Sequence, residues 1–559
     1  MMIAVRARFA LGVLAAGLLS ACATVPTERS AAAERIQILA INDFHGNLEA
    51  PAAPTTYYAA SEERKEPLGG AARLGASLAA LRAGQANTVT VAAGDLIGAS
   101  PFTSAYFLDE PTIMALNRMG LELAAVGNHE FDKGVGELRR MQAGGCEAHT
   151  QRVPCQLDKP FEGAKFAFLA ANVLDESDRP LFPGAVIREF GQAKVGFIGM
   201  TLKETGQLTS PGGTKGYRFA DEADTANRLA SELKGQGADA VVLVIHQGAD
   251  VDPYFNSDAC PGLDGAVLPI LARLTPDIRL VVSGHTHKAY VCEVTDGRGG
   301  TRLLTSAGRY GYFVTDIRLT VDPASDRVVS LSAVNAPVTA AAGEQPEVAA
   351  VVSRYVAASK PAASRVVGRV TGSLDAAGEN DTPLARLVAD AQLAGTRASG
   401  AQIAFINSGG VRAGFSRADD GAVAFGQIFA LQPFGNTLEV LELSGAQVKA
   451  LLESQFGADG EPKPSILIPS REFAYSFDRT RPAGQRVVAM TLGGSPIDPA
   501  ATYRVTTNNF LANGGDGFAV FADARFIADG GVDLDAFEAF IAGGIETDQV
   551  SRVTDLGAR

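Results

Sequence analysis

Residues 121–130 read LELAAVGNHE, an apolar run that ends on a glycine and three side chains able to bind a metal or hold a proton. The same order of residues returns in IQILAIND (36–43), TVTVAAGD (88–95), ADAVVLVIHQG (238–248) and DIRLVVSGHTH (277–287). Runs this continuously apolar predict strands covered on both faces. Helical stretches such as AARLGASLAALRAG (71–84) and EADTANRLASELKGQG (222–237) fall between them. This alternation predicts an α/β layer arrangement with polar groups gathered at the carboxyl ends of the strands. Asp, Asn and Gly also end strands as ordinary turn formers, so their placement alone leaves both explanations open.

The histidines narrow the choice. The chain has six. His45, His129, His246, His285 and His287 each follow a strand-like run, and His149 alone lies elsewhere. Asp43, Asp95 and Asn128 stand among them. Imidazoles, carboxylates and one amide oxygen, without a thiolate, suit two divalent ions of the Zn, Mn, Co or Fe type that share a carboxylate. A single structural zinc needs four ligands and leaves several of these side chains unused.

Around this centre, 559 residues are too many for one ordinary core, and two or more domains are expected. With 46% hydrophobic and 20% charged residues the composition is that of a folded chain. A formal charge of -13 argues against duplex nucleic acid as a partner. Trp is absent, so any stacking on a base falls to Phe. Residues 1–21 carry Arg6 and Arg8 ahead of an apolar run and read as a signal peptide. Leu19-Ser20-Ala21-Cys22 resembles a lipobox, which predicts a lipoprotein acylated at Cys22, tethered by 22–34 and held to a membrane by its lipid. An ordinary cleavage within Ala21-Cys22-Ala23 is the alternative. Ala23 after the cysteine makes the outer membrane the default within the bacterial cell envelope, on the periplasmic side. Four cysteines remain in an exported chain, and sequence proximity favours the disulfides Cys146–Cys155 and Cys260–Cys292. A first domain is expected over 35–336. A connector follows over 337–363, with a helix over 347–359 bounded by Pro346 and Pro361 and a capacity to act as a hinge. A second domain is expected over 364–553.

The ordered series D-x-H, GD, GNHE, H and GHTH resembles the calcineurin-like metallophosphoesterase signature. Asn407-Ser408-Gly409-Gly410-Val411-Arg412, Pro433-Phe434-Gly435-Asn436, and Asn509-Phe510 followed by Gly514-Gly515-Asp516-Gly517 extend the likeness to the bacterial periplasmic 5'-nucleotidase family. The resemblance implies a four-layer α/β/β/α metallophosphoesterase domain joined to a C-terminal mixed α/β nucleotidase substrate-binding domain. It gives Asp43, His45 and His287 to one metal and Asn128, His246 and His285 to the other, with Asp95 bridging. His129 and Asp132 become a catalytic pair, although Glu130 is an equal partner by composition alone. Phe434 and Phe510 sandwich the base and Asp516 takes the ribose. Asn407 and Asn436 contact ribose or base, Gly410 lies within the same motif, and Arg412 faces the phosphate. The implied activity is 5'-nucleotidase hydrolysis of extracytoplasmic nucleotides by a dimetal-bound hydroxide. Alternating side chains at a strand end would bring Asp43 and His45, and likewise His285 and His287, to one side.

One segment departs from the family pattern. Arginines expected near 378 and 380 are replaced by Gly378 and Asn380, and Arg386 stands where the family has an asparagine. That leaves room for 2',3'-cyclic nucleotide phosphodiesterase or nucleotide-sugar and dinucleotide pyrophosphatase activity. A non-catalytic nucleotide-binding lipoprotein is the reading from another class. Oligomeric state and native metal are not legible.

Overall fold

The strand Glu34–Ile41 is apolar along most of its length because both faces are covered. Ile36, Ile38 and Ala40 enter a core shared with a second sheet, whereas Leu39 and Ile41 enter a core beneath helices. The strand Ala240–His246 divides the same way, with Val242 and Val244 on the shared core and Val241, Leu243 and Ile245 on the far side. Period-two alternation thus sorts one apolar run between two cores.

The computed structural model describes residues 33–557 apart from 52, 60–61, 151, 210–211, 253–259, 296–299, 375–380, 415–416 and 458–465. The signal peptide, Cys22 and most of the tether lie outside the described residues, as do Gly378 and Asn380. In the first domain two six-stranded sheets face each other. One has the strands Glu34–Ile41, Thr88–Ala93, Leu123–Ala125 and Ala167–Leu169 side by side and parallel. The other has Ala193–Thr201, Ala240–His246, Ile278–Ser283 and Thr301–Ala307 parallel at its centre. Helices Ala71–Arg82, Glu110–Met119 and Gly134–Ala143 cover the outside of the first sheet. Helices Glu222–Gly235 and Val267–Arg273 cover the second. The layers run α/β/β/α. The second domain is built on a five-stranded mixed sheet, with helices Pro383–Thr396 and Asp533–Ile541 on one face and Gly445–Glu453 on the other. Both expected disulfides, Cys146–Cys155 and Cys260–Cys292, are formed.

The connector differs from its expected form. Its helix runs Pro346–Ala363 and passes through Pro361, so that proline does not end it. Pro346 occupies the first turn, where a missing N–H costs nothing. Pro361 lies in the last turn, and the helix beyond it is retained because Val348, Val351, Tyr355 and Ser359 form one buried face along its length. Tyr355 also donates a hydrogen bond to Asp158 at 2.6 Å. Tertiary burial outweighs the local stop signal, and the connector is a packed strut. Nearby, Phe102 of the first domain packs edge-on against Phe425 and Phe429 of the second, with ring centroids 5.7 and 5.3 Å apart.

Candidate active site

The parallel strands of both sheets deliver their carboxyl ends to one rim, and every candidate metal ligand lies there. Asp43, His45 and His287 place ligand atoms within 4.8 Å of one another, and Asp95, His246 and His285 form a second such group. His287 Nε2 is 3.3 Å from Asp43 Oδ1, and His45 Nε2 is 3.2 Å from His287 Nε2. In the second group His246 Nε2 is 3.0 Å from Asp95 Oδ2, and the Asn128 amide oxygen lies 3.1 Å from both His246 Nε2 and His285 Nδ1. Asp95 Oδ2 is also 3.6 Å from His45 Nε2, so one carboxylate faces both groups.

Strand pleating does not produce this convergence. The strands end at Ile41 and Ser283, before the ligands begin. Asp43, His45, Asp95, His285 and His287 instead have left-handed backbones, with φ of 49°, 45°, 51°, 74° and 62°. Such conformations cost non-glycine residues on the order of 1–3 kcal/mol each and persist only where surroundings enforce them. Here two loops are hydrogen-bonded to each other: the N–H groups of Asp43, His45 and Gly46 donate to the carbonyls of Gly94, Asp95 and Leu96 at 2.9–3.0 Å. Glu130 holds the second loop, accepting from the N–H groups of Gly127, Asp95 and Leu96 at 2.5, 2.9 and 2.7 Å. Burial, reinforced by the Asp95 charge, pushes the Glu130 carboxyl up to about 7. Three glycines permit the close approach. A Cβ on Gly94 would lie 2.7 Å from His246 Nδ1, one on Gly284 would lie 2.9 Å from Asp43 Oδ2, and one on Gly127 would collide with Asp95.

The remaining ring nitrogens are pinned. His45 Nδ1 lies 2.9 Å from the Gly98 carbonyl and His246 Nδ1 lies 2.7 Å from the Ala93 carbonyl, which turns each Nε2 toward the ligand cluster. Burial opposes charge on His246, yet Asp95 and then Asp43 outweigh it and push that imidazole up to about 10. Burial, aided by the charge of His246, pushes His285 down to about 4. Buried carboxylates and imidazoles competing for so few protons form a donor set suited to divalent cations, which displace those protons. The residues present therefore fit two metal ions.

His129 sits beside this cluster. Its Nδ1 is 2.9 Å from Asp132 Oδ2, and its backbone N–H donates to Asp95 Oδ1 at 2.8 Å. The structure separates the two acidic neighbours: Asp132 holds the imidazole, whereas Glu130 turns inward to the backbone. Burial opposes protonation of His129, but Asp132 and Asp95 outweigh it and hold the imidazole above its ordinary range.

A cleft of about 270 Å³ joins this cluster to the second domain. Asn128, His129, Asp132 and His285 line it on one side, and Asn407, Gly410, Arg412, Phe434, Asn436, Phe510 and Asp516 on the other. The Phe434 ring lies nearly parallel to His129, at 22° and 6.1 Å between centroids. Gly515 makes room for Phe510, since a Cβ there would lie 2.6 Å from that ring. Asp516, with φ of 53°, accepts from Asn407 Nδ2 at 2.7 Å. Among the described residues Asn407 Oδ1 and Arg412 Nη2 find no hydrogen-bond partner, two buried groups on one cleft wall. Sequence reasoning missed Leu208, Thr209, Gly409 and Asn508, which also line the cleft. Gly409 lay within a quoted motif; the other three carried no signal of their own.

Arg386 is absent from the cleft wall and is not a surface residue. It is 1% exposed, ion-paired with Asp381 at 3.0 Å, and donates to the carbonyls of Asp381 and Asp548. Removing one partner of a buried pair costs about 3 kcal/mol. Arg386→Met should therefore lower the melting temperature while leaving the KM for a nucleotide within twofold, as thermal melts and steady-state assays would show.

The calcineurin-like phosphoesterase family model matches residues 36–289, and the model of the 5'-nucleotidase C-terminal domain matches 363–523. The chain is 29% identical over 490 residues to the endonuclease YhcR of Bacillus subtilis, covering 85% of this chain and 37% of that protein. It is 29% identical over 545 residues to the cell wall protein Lmo0130 of Listeria monocytogenes, covering 90% of this chain and 67% of the relative. The chain thus spans little more than a third of the first of these relatives. Among solved structures, the 5'-nucleotidase precursor of Thermus thermophilus superposes with a TM-score of 0.72 at 26% identity, covering 94% of this chain and all of that one. Among the described residues no helix is long and apolar enough to cross a membrane.

Proposed function

The chain belongs to the 5'-nucleotidase family, and from that premise we propose that it hydrolyses nucleoside 5'-monophosphates outside the cytoplasm. The observation that carries this is the single cleft. Asn128 and His285 of one candidate metal group, with His129 beside them, share that cleft with an aromatic and polar wall on the other domain, and Asp95 links this group to the second one. Asp43, His45 and His287 would hold one ion and Asn128, His246 and His285 the other. Divalent ions held there supply positive charge at the phosphoryl oxygens and acidify the attacking water.

The chain's own residues do the rest. Phe434 and Phe510 stack on the base, worth about 1–3 kcal/mol per contact. Asp516 and Asn407 meet the ribose hydroxyls, and the Arg412 guanidinium takes two phosphate oxygens in a planar fork. His129, oriented by Asp132, offers its free Nε2 to the phosphoryl group or the leaving oxygen. Export rests on the first 21 residues and the anchor on acylation of Cys22, with Zn, Mn, Co or Fe as the ion.

Incubation of the purified protein with AMP and Mn²⁺ or Zn²⁺ should release phosphate; none with any divalent ion would sink the proposal. A panel of AMP, 2',3'-cyclic AMP, a UDP-sugar and NAD should give AMP the highest kcat/KM. Phe434→Ala should raise the KM for AMP about tenfold, within the stacking range, while hydrolysis of p-nitrophenyl phosphate stays near its original rate. An equal loss on both substrates would place Phe434 outside the base site.

A further inference from the structure

Asp109 stands directly before the helix Glu110–Met119, where an aspartate ordinarily turns its carboxylate onto the first N–H groups of the helix. Here it makes no such cap. The residue is fully buried and its backbone is left-handed, with φ of 65°, a conformation that costs about 1–3 kcal/mol. Local preference is overridden in both side chain and backbone. The carboxylate is directed instead beneath the candidate site. Its Oδ2 accepts from Lys133 Nζ at 2.6 Å and, more loosely, from the Gly98 N–H at 3.4 Å, and its Oδ1 accepts from Ser104 Oγ at 2.7 Å. Burial opposes charge on this carboxyl, but Lys133 outweighs burial and holds it below its ordinary range.

Each partner of this carboxylate adjoins the site. Ala99, next to Gly98 and itself left-handed with φ of 44°, donates its N–H to Asp132 Oδ2 at 2.9 Å. That same oxygen holds His129 Nδ1, also at 2.9 Å. Lys133 directly follows Asp132 in the chain. The contacts therefore close a ring, from Asp109 to the 98–99 turn, from the turn to Asp132, and through Lys133 back to Asp109. Ser104 extends the support, since a Cβ on Gly46 would lie 2.7 Å from its hydroxyl, so the loop carrying Asp43 and His45 rests on it.

We propose that Asp109, acting through Lys133 and the 98–99 turn, is a positioning residue that keeps Asp132 on His129 and so aims His129 Nε2 at the leaving oxygen. Asp132 is partly exposed, so water competes for its oxygens, and a donor fixed at Ala99 holds Oδ2 on the imidazole. Neither Asp109 nor Lys133 is among the residues that line the cleft. Their effect on the substrate therefore passes through the Asp132–His129 pair.

Asp109→Asn keeps the volume and removes the charge that draws in Lys133, whose side chain is 25% exposed and can swing into water. At saturating Mn²⁺, kcat for AMP should fall about 10–10²-fold with KM within about twofold, whereas p-nitrophenyl phosphate, whose phenolate leaves without a proton, should lose less than about threefold. A loss of folded protein would lower both esters alike. Added to His129→Ala, Asp109→Asn should cost less than about twofold more, because the group it positions is already gone. An unchanged kcat for AMP, equal losses on the two esters, or a full further loss in the His129→Ala background would overturn the proposal. Should thermal melts show that Asp109→Asn does not fold, Lys133→Met breaks the same ring from its exposed side and is read by the same outcomes. The inference rests on the proposed role of His129 in hydrolysis. If neither ester is cleaved, that role fails and the ring is read directly. In protein carrying isotope-labelled histidine, the Nδ1 resonance of His129, assigned by its loss in His129→Ala, should move in Asp109→Asn, and an unmoved resonance would overturn the proposal.

Discussion

Asp95→Ala should abolish phosphate release and deplete the protein of metal. Asp95 Oδ2 stands 3.0 Å from His246 Nε2 and 3.6 Å from His45 Nε2, so in the proposed assignment its loss would remove a ligand from both ion sites at once. Asp95 Oδ1 also accepts the His129 backbone N–H at 2.8 Å, which ties the position of His129 to the same carboxylate. Metal charge at a phosphoryl centre is worth several kcal/mol, so kcat/KM for AMP should fall at least roughly 10³-fold. Metal content measured by elemental analysis should drop together with the rate. Full occupancy with undiminished turnover would show that Asp95 bridges nothing. Nucleotide binding without turnover in the wild-type protein, under every metal, would instead point to a binding lipoprotein.

His129→Ala should have the second largest effect and the opposite metal signature. His129 touches no ion in the proposed assignment, so metal content should stay near that of the wild type. The kcat for AMP should fall about 10²–10⁴-fold, the range for a positioned proton-transfer group. The loss should be smaller for p-nitrophenyl phosphate, whose phenolate leaves without a proton, than for AMP, whose ribose 5'-oxygen needs one. Asp132→Asn should lower kcat less, because it disturbs the orientation of the imidazole and keeps the ring. A fall below tenfold in His129→Ala would remove this residue from the chemistry. Equal losses on both esters would confine it to the phosphoryl oxygens.

The sequence carried the inventory of the candidate site because ligand chemistry is local. Asp43, Asp95, Asn128, His246 and His285 each close a strand-like run, and a parallel sheet must bring such ends to one rim. It also carried the α/β layer arrangement, since runs like 240–245 are apolar at every position only when both faces are buried, whereas the count of four layers came with the family resemblance. Three features were decided elsewhere. Proline is a stop signal locally, but the helix Pro346–Ala363 continues through Pro361 because its other side chains are buried on the body of the protein. Arg386 stands out in the sequence only as a departure from the family pattern; the fold alone places Asp381 and the Asp548 carbonyl around it. Asp43, His45, Asp95, His285 and His287 converge through left-handed turns, those of the first three held by Glu130 and by paired loops, whereas His246 is delivered by the end of its strand. Those turns are unfavourable for the isolated chain, so no local preference announces them. Residue identity determines which atoms can bind metal, base and phosphate. Contacts between residues far apart in sequence enforce the strained backbone that brings those atoms together, and these exist only once the sheets, loops and two domains have packed.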